Sequence, residues 1–169
     1  KILLYLLVFL LGLVSSFSLP PYNLFYLNFF LYPSLLITLL FYSKNKIISF
    51  NIGWTFGFGY FISSLYWITN SLTFEDIFKP LIPFALILIP LFLGLFYGFA
   101  TLAFSFLNPK KNFLSILILA TSFSVFEYIR SFLFGGFPWN LIAFSFVSYL
   151  EFIQLLSITG TYAFNSIII

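Results

Sequence analysis

Glu127 and Arg130 are a pair of opposite charges set inside a long apolar stretch of this 169-residue sequence. Three positions apart on a helix, they share a face, where pairing lowers the cost of burying either group. Two readings of the pair stand open. Either the charges neutralise each other or Arg130 snorkels to head groups at a membrane surface, or its planar fork holds a lipid phosphate. Directly downstream, Phe134-Gly135-Gly136-Phe137-Pro138-Trp139-Asn140 places two glycines and a proline where helix would otherwise continue. Irregular backbone at membrane depth has to be buried in protein or line a cavity. Trp139 is then an interfacial belt residue or part of a cavity wall, and for Tyr66-Trp67 the belt reading is preferred.

The absence of cysteine and histidine narrows the chemistry. It removes disulfides, the usual zinc ligands, a thiol nucleophile and the commonest general base. No cofactor is implied. The net charge of +3 comes from seven basic residues scattered singly or in pairs, with no basic face, so no nucleic-acid partner is expected.

What must position Glu127 and Arg130 is a membrane bundle. With 62% hydrophobic and 7% charged residues the chain has too little polar surface to cover a water-soluble globule. The expected fold class is an all-α integral membrane protein, a polytopic bundle of about six transmembrane helices. The apolar runs are Ile2 to Phe17, Leu24 to Tyr42, Ile47 to Ile68, Leu81 to Leu107, Phe113 to Phe134 and Leu150 to Ile169. About 20 residues at ~1.5 Å each cross a hydrocarbon core of roughly 30 Å. Continuous rather than alternating hydrophobicity favours helices over a barrel.

Turn chemistry fills the breaks, as in Pro20-Pro21-Tyr22-Asn23 and Ser43-Lys44-Asn45-Lys46. Pro83 and Pro90 are expected to kink the fourth span. Gly53-x-x-x-Gly57 and Gly94-x-x-x-Gly98 set small residues one turn apart, as close helix packing requires. Gly57-Phe58-Gly59 is no dinucleotide fingerprint, because no strand precedes it, and no internal repeat is found. If successive spans alternate direction, Lys1, Lys44, Lys46, Lys110 and Lys111 share one side, which the positive-inside rule makes cytoplasmic. Glu75, Asp76, Lys79, Glu151 and the Phe-Pro-Trp loop then face outward. A start at Lys1 and a stop within Ile167-Ile168-Ile169 suggest a piece cut at both ends. A signal peptide over Lys1 to Ser18 is the alternative for the first run, but it lacks an A-x-A-like site.

Glu127-Tyr128-Ile129-Arg130 followed by Gly136-Phe137-Pro138-Trp139 resembles the signature of the membrane domain of apolipoprotein N-acyltransferase. The likeness continues through Gln154 and Gly160-Thr161-Tyr162 to Asn165. It also runs back to Tyr66-Trp67, Gly57-Phe58-Gly59-Tyr60, Gly53-Trp54 and the opening Phe17-Ser18-Leu19-Pro20-Pro21-Tyr22, so it covers nearly the whole chain. Ser131 stands where the family usually has glycine, and Gly135 where threonine is common.

The resemblance implies an eight-helix enzyme of the bacterial inner membrane with a nitrilase-like domain on its periplasmic face. Such an enzyme moves an acyl chain from a phospholipid onto a cysteine of a Glu-Lys-Cys triad. It then passes that chain to the amino group of a lipoprotein's diacylglyceryl-cysteine. None of the triad can be assigned here, so residues 1–169 are expected to be the N-terminal transmembrane domain, inactive alone. Its expected partners are the membrane, a phospholipid acyl donor and a diacylglyceryl lipoprotein acceptor. Glu127, Arg130, Phe137, Pro138 and Trp139 match the motif and are the substrate- and lipid-binding candidates, with no catalytic or metal-binding residue among them. A transporter or channel subunit is the alternative, since it too would bury a Glu-Arg pair and break its helices. A module that only anchors a partner is a third reading.

Overall fold

The fold is that of a computed structural model, which describes residues 1–42, 44–107, 109–110, 112–133 and 138–169. Five of the six apolar runs each contain one long α-helix: α1 (Ile2–Ser15), α2 (Asn28–Tyr42), α3 (Lys46–Ser64), α4 (Ile82–Phe106) and α5 (Phe113–Phe132). No strand occurs among the described residues. The chain is an all-α membrane bundle. Three helical stretches, Phe25–Tyr42, Asp76–Phe106 and Phe113–Phe132, are long and apolar enough by themselves to cross a membrane.

The more polar α3 is not among them, and its place in the bundle explains how it can be so. It is flanked by α1 and α4 and buries Ser49, Ile52, Gly53, Phe56, Gly57, Gly59, Tyr60 and Phe61. Its start is set locally: Asn45 caps it, the side-chain oxygen accepting from the Ile48 amide at 3.0 Å, which satisfies a donor that the first turn leaves free. Glycine lets α3 and α4 touch. A methyl group on Gly57 would lie 2.9 Å from the Gly94 Cα, and one on Gly94 would lie 3.0 Å from the Phe58 backbone nitrogen. The small-residue spacing therefore serves packing, as expected. On the other side of α3, Gly59 faces the Phe9 carbonyl of α1 and Gly12 faces that of Phe56. Gly57→Leu should lower stability by about 1–3 kcal/mol, the usual cost of overpacking. Thermal unfolding in detergent checks this, and an unchanged midpoint would contradict the packing account.

Two expectations need correction. Pro83 does not kink α4: it occupies the first turn, where a missing amide donor costs nothing, and only Pro90 lies in the helix interior. Nor is Leu150 to Ile169 one continuous helix. It is broken into α6 (Leu150–Ile153), α7 (Leu156–Thr159) and α8 (Thr161–Ile168). The last break is at Gly160, whose φ of 77° and ψ of 159° lie in a region open essentially to glycine alone. The third run also stops short as an α-helix, at Ser64, and continues as a 3-10 helix over Tyr66–Thr73.

The helices alternate in direction. Lys46 at the start of α3 donates to the Ser105 carbonyl near the end of α4, and its ammonium lies 5.2 Å from the Phe106 ring centroid. At the other end, Ser16 after α1 donates to Ser63 of α3 at 2.7 Å. Ser166 of α8 reaches Ser124 of α5 at 2.7 Å, while Tyr162 packs on Tyr128 at 5.3 Å, so α8 runs antiparallel to α5. Lys46 therefore marks one end of the bundle, and the residues following α1, α3 and α5 gather at the opposite end.

Candidate functional site

Between α5 and α6 the chain does not stay on the surface. It dips back into the bundle as a 3-10 helix, Ile142–Phe146, that buries Ile142, Ala143, Ser145 and Phe146. Its 3-10 bonds satisfy part of its backbone, and side chains from the surrounding helices supply partners for further polar groups. Asn28 of α2 donates to Ser145 Oγ at 3.0 Å. Tyr60 of α3 donates to the Asn140 carbonyl at 2.9 Å, and the Asn140 side chain donates to the Ser64 carbonyl at 3.2 Å. Asn165 of α8 accepts from the Ala143 amide at 2.7 Å. Asn140 itself has φ 56°, a left-handed conformation that asparagine tolerates better than most residues.

The same Asn165 reaches Glu127. Its amide donates to Oε2, while Tyr97 of α4 donates to Oε1 at 3.0 Å. With Arg130 on the same helix face, as the three-residue spacing required, the nearest charge contact is 4.0 Å from Oε1. Glu127 thus spends its oxygens on two neutral donors and keeps Arg130 only as an ion-pair partner. Both residues are 2% exposed, so Arg130 does not snorkel to a surface. Its guanidinium carbon sits 5.0 Å from the Phe61 ring centroid, within range of a cation–π contact. Among the described residues none accepts a hydrogen bond from its Nε or its two terminal nitrogens. A buried guanidinium so poorly matched has donors to spare for an anion.

Above this buried layer lies an exposed rim. Pro138 is exposed, and Trp139 is 46% exposed and stacks on Trp67, with ring centroids 5.2 Å apart and planes 26° from parallel. Trp67 is held in turn by donating to the Ser64 carbonyl at 3.0 Å. Beside the pair opens a cleft of about 420 Å³, with Leu19, Phe144 and Val147 supplying apolar walls and Ser16, Ser64 and Asn140 supplying polar groups. Of the five residues singled out from the sequence, Glu127 and Arg130 form the buried layer, and Pro138 and Trp139 belong to the rim. Phe137 lies outside the described residues. Sequence reasoning missed Asn165 as the partner of Glu127, Tyr97 as its second donor, and Trp67 as the partner of Trp139. Asn165 carried a signal nonetheless, being an amide within an apolar run. Among the described residues no cluster of metal-ligating side chains is found.

Residues 11–169 match the profile of the apolipoprotein N-acyltransferase N-terminal domain. The chain belongs to the apolipoprotein N-acyltransferase family. Relatives bearing that name include one from Agrobacterium fabrum, 40% identical over 143 residues that make up 79% of this chain and 27% of the relative. Another, from Allorhizobium ampelinum, is 34% identical over 92% of this chain and 31% of the relative. A third, from Brucella melitensis, is 33% identical over 90% of this chain and 30% of the relative. The chain therefore spans less than a third of the length of these relatives.

Proposed function

We propose that this chain handles lipid for an enzyme that moves an acyl chain from a phospholipid to the N-terminal diacylglyceryl-cysteine of lipoproteins in the bacterial inner membrane. The observation that carries the reading is the Trp67–Trp139 stack beside a partly apolar cleft, at the end of the bundle opposite Lys46. Trp139 and Pro138 meet acyl chains at this rim, and Phe137 belongs to the same sequence motif. Tryptophan suits the place, combining a large apolar face with a polar N–H. Arg130, beneath the rim with donors unmatched among the described residues, holds the lipid phosphate, and Glu127 keeps that cation at low dielectric. No residue here can carry an acyl group as a thioester, since the sequence has no cysteine. The segment's part is binding and orientation, and by itself it transfers nothing.

A phospholipid with a photoreactive group on its acyl chain tests the site. In vesicles of the complete protein, adducts are expected on Pro138, Trp139, Trp67 and the cleft residues. Adducts confined to the outer faces of α1 and α4 would contradict it. The orientation follows from the five lysines: Lys44 and Lys110 face the cytoplasm, and Trp139 the periplasm. With single cysteines introduced in intact cells, an impermeant thiol reagent should label position 77 and spare position 45. Outside labelling at 45 would reverse the topology.

A further inference from the structure

The segment from Pro138 to Tyr149 bears the rim residues, and its 3-10 bonds run within itself, so they do not fix its height in the bundle. A backbone donor of this segment that meets a side-chain acceptor is the buried Ala143 amide, which reaches Asn165 Oδ1 at 2.7 Å. Asn165 is fully buried, and the other half of its amide donates to Glu127 Oε2. One carboxamide therefore joins an α5 carboxylate to the backbone four residues after Trp139. It works because an amide offers an acceptor on one side and a donor on the other. Gly160 breaks the helix just ahead of α8, and α8 then carries Asn165 to the Glu127 carboxylate.

We propose that Asn165 is a positioning residue: through its paired hydrogen bonds to Glu127 and the Ala143 amide it sets the place of the re-entrant segment and so of Trp139 on Trp67. The consequence for lipid handling rests on the function proposed above; the positioning itself does not. Aspartate at 165 keeps the acceptor for Ala143 but turns a second carboxylate toward Glu127 with no donor between them. Glutamine at 127 restores that donor while leaving an oxygen for Tyr97. Exchanging the two groups, Glu127→Gln with Asn165→Asp, rebuilds the chain of hydrogen bonds with its polarity reversed and the net charge of the native pair retained.

The Trp67–Trp139 stack supplies a readout independent of activity, because two indoles 5.2 Å apart couple their transitions and give an exciton couplet in circular dichroism. The couplet is isolated as the difference between each protein and its Trp139→Phe counterpart. Asn165→Asp should lose most of the couplet, and the double variant should recover it. A folded Asn165→Asp with its couplet intact would overturn the proposal. Loss of the couplet in both the single and the double variant would do so as well. Should Asn165→Asp fail to fold, recovery of fold and couplet in the double variant supports the coupling, and failure of both variants overturns it. If the couplet falls while acyl transfer per folded molecule is unchanged, Asn165 still positions the rim, and it is the lipid-contact reading of Trp139 that fails.

Discussion

Arg130→Gln in the complete protein is expected to slow acyl transfer from phospholipid by roughly tenfold to 100-fold per folded molecule. That corresponds to losing a charged hydrogen-bonded contact of about 1.5–3 kcal/mol. The guanidinium is buried with its nitrogens unmatched among the described residues, so its removal leaves no protein acceptor stranded. The Glu127 carboxylate keeps Tyr97 and Asn165 as donors, which limits the structural damage. Arg130→Lys should be nearly as slow, because an ammonium retains the charge but not the fork that matches a phosphate. Trp139→Ala should slow transfer by about tenfold, since it removes the stack on Trp67 and the apolar face offered to an acyl chain. Transfer rates and thermal midpoints, measured on the same preparations, separate these effects from misfolding. Variants that lost stability alone, with normal transfer per folded molecule, would reduce Arg130 and Trp139 to structural residues.

Glu127→Leu is expected to have the largest effect on stability, about 3–5 kcal/mol. The carboxylate gathers Tyr97 from α4, Asn165 from α8 and the charge of Arg130 on its own helix. An apolar replacement leaves the Tyr97 hydroxyl and the Asn165 amide without their acceptor, and strands a buried cation. Glu127→Gln should cost less, because an amide still accepts from Tyr97, although it too leaves Arg130 without its counter-charge. Unfolding by denaturant in detergent checks both variants, and equal midpoints for Glu127→Leu and the parent would contradict a central role for this carboxylate.

Most of the bundle was legible in the sequence because lipid leaves a helix few ways to satisfy its backbone, and apolar runs of spanning length announce it. Glycines spaced by four marked the α3–α4 contact for the same elementary reason, since only they allow the backbones so close. Proline was harder. Whether Pro83 kinks a helix or opens one depends on where the helix begins, and its pattern of neighbours did not say. The final run looked continuous by hydropathy, yet one glycine with a positive φ ends α7 and starts α8. Glu127 and Arg130 were visible as a pair, and their shared face followed from spacing. Their true surroundings were not, because Asn165 lies 38 positions from Glu127 and meets it only once the segment after α5 has folded back into the bundle. The sequence-level picture of a simple ion pair gave way to a carboxylate bonded mainly to neutral donors, with Arg130 at 4.0 Å.

The central claim is that this membrane domain serves N-acylation of lipoproteins, and the most direct test is transfer itself. The purified complete protein, in vesicles whose phospholipid carries a labelled acyl chain, is given a peptide beginning with diacylglyceryl-cysteine. The account predicts that the label appears as one amide-linked acyl chain on the peptide's amino group, and that the yield falls sharply in Arg130→Gln and Trp139→Ala. Intact, folded protein that leaves the peptide unmodified but carries solutes across the vesicle membrane would contradict it.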